Sequence, residues 1–123
     1  MTILGLKIWD HDTGAALLVG DKVVAISQER LDRIKYSGAF PKESVDYCLS
    51  AAGLSDIGDV DCVAVEQMDS TTKPLIDLLQ QHGWWDKIAH KTIFVNHHDA
   101  HAASAFFCSP FDDAAVMVVD SAG

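Results

Sequence analysis

The sequence predicts an α/β fold with a mixed sheet, and three observations carry that prediction. Three short apolar runs follow one another near the N-terminus, separated only by turn residues. Two further apolar runs each follow a stretch with helical spacing. An alanine-rich helical stretch then follows the fifth run. Strands joined first by tight turns and then by helices give a sheet with antiparallel and parallel parts.

Each element has its own signal. Residues 3–9 have the composition of a buried strand, Asp10-His11-Asp12-Thr13-Gly14 is a turn cluster, and 15–19 resumes as a strand. Gly20-Asp21 is a two-residue turn before a third strand over 22–27. The charged segment from Glu29 to Lys35 predicts a helical turn or loop. Phe40-Pro41 opens a helix, since proline is tolerated in a first turn. Val45, Leu49 and Ala52 give it an i, i+4, i+7 stripe, and Gly53 stops it. A valine-rich strand spans 60–65. A helix over 74–81 ends at Gly83, with Trp84 and Trp85 in a less regular segment. A fifth strand over 92–95, a helix over 99–107 and a sixth strand over 114–119 complete the chain. The order βββ-α-β-α-β-α-β resembles the ribonuclease-H-like half-domain of actin-like ATPases, sugar kinases and heat-shock ATPases. That half-domain has five strands. Residues 1–112 are therefore expected to form a first lobe and 113–123 to begin a second. The end at Asp120-Ser121-Ala122-Gly123, a strand running into turn residues, reads as a piece of something longer.

Composition excludes some classes of function. The chain has 123 residues, enough for one domain with a modest core, and its 49% apolar and 22% charged content is ordinary for a globular protein. A net charge of -9 leaves no basic stripe to neutralise phosphates, so nucleic acid is not an expected partner. No basic leader precedes the first strand, and no apolar stretch approaches the roughly 18 residues of a membrane helix. A cytoplasmic protein without membrane contact is expected. Cys48, Cys62 and Cys108 are widely spaced in apolar stretches with no Cys-x-x-Cys, and read as buried reduced thiols.

Chemistry concentrates in Asn96-His97-His98-Asp99-Ala100-His101. His97 and His101 stand four residues apart, one turn apart on one helical face, so both imidazoles reach one metal ion. Asp120, at the end of the next apolar run, adds a hard oxygen ligand. Two histidines and a carboxylate with open positions suit a metal that handles substrate. The alternative is a helix N-terminus with one histidine bonded to backbone and the others solvated. The strand-to-helix junction and Asp120 weigh against it, because α/β folds place sites at the C-terminal ends of strands. Asn96 is equally well a simple N-cap. His98 points about 100° away around the helix, which gives it a substrate or hydrogen-bonding role. The turn His11-Asp12-Thr13-Gly14 is either a phosphate-gripping hairpin or a plain polar turn. Arg30, Arg33 and Lys35 form a local cationic site in an acidic chain, unless they are a solvated face.

Together these segments resemble the N-terminal region of the O-carbamoyltransferases, which act on nodulation factors and antibiotics. The resembling motifs are Ile3-Leu4-Gly5 leading to His11-Asp12-x-x-Ala15-Ala16, then Gln28-Glu29-Arg30-x-x-Arg33-x-Lys35 and Phe40-Pro41. Val95-Asn96-His97-His98-x-Ala100-His101-Ala102-Ala103-Ser104-Ala105-Phe106, Ser109-Pro110-Phe111 and Val118-Val119-Asp120 follow, so the resemblance spans the chain. It departs at Gln28, where glutamate is commoner, at Tyr36, where histidine is frequent, and at Asp99, which replaces an apolar residue. The resemblance implies an actin-like domain similar to the tRNA threonylcarbamoyl transferases. His97, His101 and Asp120 would be metal ligands, with a further carboxylate beyond residue 123. Iron is the expected ion, zinc or magnesium the alternatives. His11 and Lys35 would line the transfer pocket, with His11 or His98 as general base, and Asp12, Arg30 and Arg33 would serve substrate or phosphate. The implied partners are ATP, carbamoyl phosphate, a small-molecule acceptor hydroxyl, and the rest of the protein, with its second lobe and a C-terminal domain that forms carbamoyl-adenylate. The rival expectations are a sugar kinase or ATPase of the same fold using magnesium, and a non-catalytic lobe that only scaffolds.

Overall fold

The computed structural model describes residues 1–68 and 72–121. Its centre is a five-stranded sheet in the order β3-β2-β1-β4-β5. The antiparallel part comprises β1 (Thr2–Lys7), β2 (Gly14–Val19) and β3 (Lys22–Ser27), paired in register from Thr2↔Val19 to Lys7↔Gly14 and from Gly14↔Ser27 to Val19↔Lys22. Parallel to β1 run β4 (Cys62–Gln67) and β5 (Thr92–Asn96), so the C-terminal ends of three strands share one edge of the fold.

Alternation along the strands sorts the two faces. Leu4, Leu6, Ala15, Leu17, Val63 and Val65 point to one side and are buried. That side is covered by α2 (Lys42–Ala51), α3 (Lys73–Gln81) and α4 (Trp85–Ile88), which contribute Val45, Cys48, Leu49, Leu75, Leu79 and Ile88 to a single core. The opposite side carries Gly5, Lys7, Gly14, Ala16, Ala64 and Glu66. There α5 (His97–Phe106) packs over β4 and β5 without burying a residue completely. This second face stays open as a groove.

Most expected elements form within two residues of their expected ends. Gly53 and Gly83 take left-handed φ angles of 73° and 71° just past α2 and α3, the conformation expected of helix stops. The charged segment yields one helical turn, α1 (Glu29–Asp32), closed by Arg33 in the left-handed region. Four corrections apply. The first strand ends at Lys7 rather than at residue 9, because Asp10 and Asp12 turn the chain with φ of 69° and 55°. The Trp84-Trp85 segment is regular, forming α4 and a 3-10 turn at Ala89–Lys91. The sixth strand does not form: 114–120 takes no regular structure and pairs with no strand among the described residues. Ala122 and Gly123, which close the expected second segment, lie outside the described residues. Of the three free cysteines only Cys48 is buried, while Cys62 is half-buried and Cys108 exposed. No helix among the described residues is long and apolar enough to cross a membrane.

Candidate metal centre

The β5–α5 junction builds the site. Asn96 is extended, and its Oδ1 accepts the backbone N–H of His98 at 2.9 Å, so it caps α5 as its residue type favours. Helical geometry therefore begins at His97, and His97 and His101 share one face. Their Nε2 atoms lie 3.1 Å apart. Nitrogen–zinc bonds of about 2.0–2.1 Å at a tetrahedral angle put two ligand atoms roughly 3.3 Å apart, so this spacing fits two ligands of one ion.

Asp120 completes the group. Its Oδ2 lies 3.4 Å from His97 Nε2, and one ligand atom from each of His97, His101 and Asp120 falls within 4.8 Å of the others. On the far side of the ring, His97 Nδ1 is 2.6 Å from Glu66 Oε1. An ionised carboxylate only accepts, so Nδ1 carries the proton and Nε2 keeps its lone pair for the ion. Carboxylate–histidine pairs of this kind fix the ring and raise its basicity as a ligand. The His97 and Glu66 side chains retain only 19% and 13% exposure, which shields the pair from water. Two imidazoles and one carboxylate suit zinc or a non-haem iron equally.

His98 also reaches this carboxylate, with Nε2 3.0 Å from Asp120 Oδ2. Although it points away from His97 around the helix, the returning chain brings Asp120 between the two. Donation from Nε2 to this carboxylate would leave the lone pair of His98 on Nδ1.

The remaining expected residues stand elsewhere. His11 is exposed, with Nδ1 2.7 Å from Asp12 Oδ2 and Nε2 3.5 Å from Asp10 Oδ2. Lys35 Nζ sits 4.9 Å over the Tyr36 ring, and the Arg30 and Arg33 side chains make no ion pair among the described residues. The loops bearing them are tied together. Thr13 N donates to Ser37 O at 3.0 Å, Asp12 N to Tyr36 O at 3.5 Å, and the Thr13 hydroxyl to Ala39 O at 2.6 Å. The hairpin amides of Asp12 and Thr13 are thereby spent within the protein. None of His11, Asp12, Arg30, Arg33 or Lys35 lines the groove of about 450 Å³ that runs from His97 and His101 across the open sheet face.

Two residues of this groove went unsingled in the sequence, Glu66 and Lys7. The signal was present: each is a charged residue at the end of an otherwise apolar strand, and the parallel pairing of β1 with β4 brings those ends together.

The Carbamoyltransferase N-terminus model matches residues 2–82, about two-thirds of the sequence. The chain belongs to that family. The metal-ligand cluster lies beyond the matched residues, but one relative matches 98% of this chain, the cluster included. An uncharacterized protein of Synechocystis sp., sll1178, is 32% identical over 98% of this chain and 25% of its own length. The nodulation protein NolNO of Sinorhizobium fredii is 32% identical over 92% of this chain and 20% of its own. The chain thus spans about a quarter or less of the length of these relatives. Among solved structures, YeaZ from Pseudomonas aeruginosa matches with a TM-score of 0.60 at 18% identity, covering 88% of this chain and 51% of YeaZ. A second structure, of an uncharacterized P. aeruginosa protein similar to the peptidase YeaZ, has the same TM-score at 17% identity and covers 87% of this chain and 48% of its own. The actin-like, ribonuclease-H-like fold is the one expected from the strand order.

Proposed function

We propose that this chain is the N-terminal part of a metal- and ATP-dependent O-carbamoyltransferase. Such an enzyme moves the carbamoyl group of carbamoyl phosphate, through carbamoyl-adenylate, to an acceptor hydroxyl on a small molecule. The observation that carries the reading is the Glu66–His97–His101–Asp120 cluster at the strand ends of a carbamoyltransferase-family chain. His97, His101 and Asp120 would hold the ion, with iron the first expectation. The bound ion would supply Lewis-acid polarisation and a template for phosphate and carbonyl oxygens.

The chain's own residues do the rest. Glu66 orients His97, and His98 orients Asp120 while presenting its free Nδ1 as the base for the acceptor proton. Of the two candidate bases, His98 is bonded to Asp120 at the cluster whereas the exposed His11 is paired with Asp12 and Asp10, which favours His98. Residues 1–112 would form the first lobe of a two-lobed cleft and 113–123 the entry to the second. The apolar segment 114–119 would become a strand against chain that follows it. Arg30, Arg33, Lys35 and Asp12 would then face substrate from the loop edge.

Metal analysis of the full-length protein tests the reading. The wild type is expected to hold one ion per site, and His97→Ala and His101→Ala to lose both the ion and carbamoyl transfer. Full metal content in both variants would end the assignment.

A further inference from the structure

We propose that Lys7 is the anion-binding residue of the groove and takes a phosphate group beside the metal-ligand cluster. The proposal rests on the metal-dependent reading above and names the residue that would meet the donor's negative charge. Lys7 ends β1 on the open face. Its register partner on β2 is Gly14, so no cross-strand side chain covers its stem. On the other flank, Gly5 pairs with Ala64 and Leu6 with Val65, which sets Lys7 alongside Glu66 on the neighbouring strand. The Lys7 side chain therefore leaves the sheet on the same face as the carboxylate that orients His97.

Its present bonds leave it available. Lys7 Nζ donates to the carbonyls of His11 at 2.7 Å and Trp9 at 3.3 Å, two neutral acceptors for a group with three donors. No carboxylate lies within ion-pair distance of it among the described residues, whereas Lys42, Lys73 and Lys87 each pair with an aspartate. Among the described residues, Lys7 is the only lysine or arginine that lines the groove. The hairpin amides of Asp12 and Thr13 are bonded to the facing loop instead. The carboxylates nearby are already hydrogen-bonded, Glu66 to His97, Asp120 to His98 and Asp12 to His11. A lysine is a mobile point charge suited to phosphate oxygens, and small residues at Gly5, Ala16 and Ala64 let a ligand approach the sheet.

The test is calorimetric binding of inorganic phosphate, with acetate as a second probe, to the metal-loaded full-length protein at several ionic strengths. Lys7→Met is expected to keep the metal content, weaken phosphate roughly tenfold or more and flatten its salt dependence, which a merely structural role would not do. Lys7→Arg is expected to retain most of the affinity, and Lys7→Gln substitutes for the methionine variant if that fails to fold. Unchanged phosphate affinity in Lys7→Met overturns the proposal, and so does an equal loss for acetate. Failure of the underlying reading is seen separately, as metal retained in His101→Ala.

Discussion

Glu66 and His97 form a close carboxylate–imidazole pair, 2.6 Å from Oε1 to Nδ1, between the end of one strand and the first residue of the helix after the next. The bond selects the tautomer that leaves Nε2 free, so its loss should weaken metal binding without unfolding the chain. Glu66→Leu, which removes the acceptor, is expected to lower metal affinity roughly 10- to 100-fold. Competition with a chromophoric chelator measures this, and an unchanged affinity would show that His97 is oriented by packing alone.

His98 and His11 are equal candidates for the base in the sequence, and the proposed function favours His98. His98→Ala should weaken metal binding through Asp120 and, with the metal saturating, still lower kcat by roughly 10²–10⁴-fold, the usual worth of a positioned base. His11→Ala should cost far less. A kinetic comparison of the two variants at saturating donor decides between them, and the reverse order would return the role to the loop.

What could be read in the sequence depended on the range of the interaction. Local signals served well: Gly20-Asp21 fixed the β2–β3 turn, Asn96 capped α5, and spacing alone paired His97 with His101. The partnership of Glu66 with His97 depends on the parallel β4–β5 register across 31 residues, which no local pattern encodes. The segment 114–119 has the apolar character of a strand, but pairing decides strand formation, and no partner stands beside it among the described residues. Cys108 shows the converse error. It lies among apolar residues in sequence, yet it follows a helix that leans on the sheet without being buried by it.

The tie between the two loops should be a stability element. Thr13 is fully buried and its hydroxyl donates to Ala39 O, so Thr13→Val leaves that carbonyl unpaired at a cost of about 1–3 kcal/mol. Gly38→Ala should cost more, because a Cβ there would stand 2.1 Å from the Asp10 carbonyl oxygen. Urea unfolding should show lower midpoints at an unchanged slope for both variants, in that order.

Thiol labelling should resolve the three cysteines by burial. Desolvation pushes the Cys48 thiol above its ordinary value, and its Sγ lies 3.5 Å from Val24 O and 3.7 Å from Ala15 O in the core. The thiolate is the reactive species, so Cys48 should label only on unfolding. Cys108 should react first under native conditions and Cys62 more slowly, as read by mass after timed exposure to a disulfide reagent. Native labelling of Cys48 would mean that α2 opens readily from the sheet.

Acid should loosen the fold at two carboxylates remote from the metal-ligand cluster. Lys87, 2.6 Å away, holds the Asp56 carboxyl below its ordinary 3.8, aided by the Gly58 amide. The backbone N–H and hydroxyl of Thr2 do the same for Asp61. A depressed folded-state value means that the unfolded chain binds the proton first, so the stabilisation is present in full above the ordinary value. It is lost as the pH falls through 3.8 and below. Asp56 and its lysine are each nearly half exposed, so salt should screen their share, while the Asp61 bonds to Thr2 should respond less to ionic strength. Thermal melts between pH 6 and 2 should therefore fall less steeply for Asp61→Asn than for the wild type at any salt concentration. The corresponding difference for Asp56→Asn should shrink in high salt, and parallel curves for all three proteins would place the acid sensitivity elsewhere.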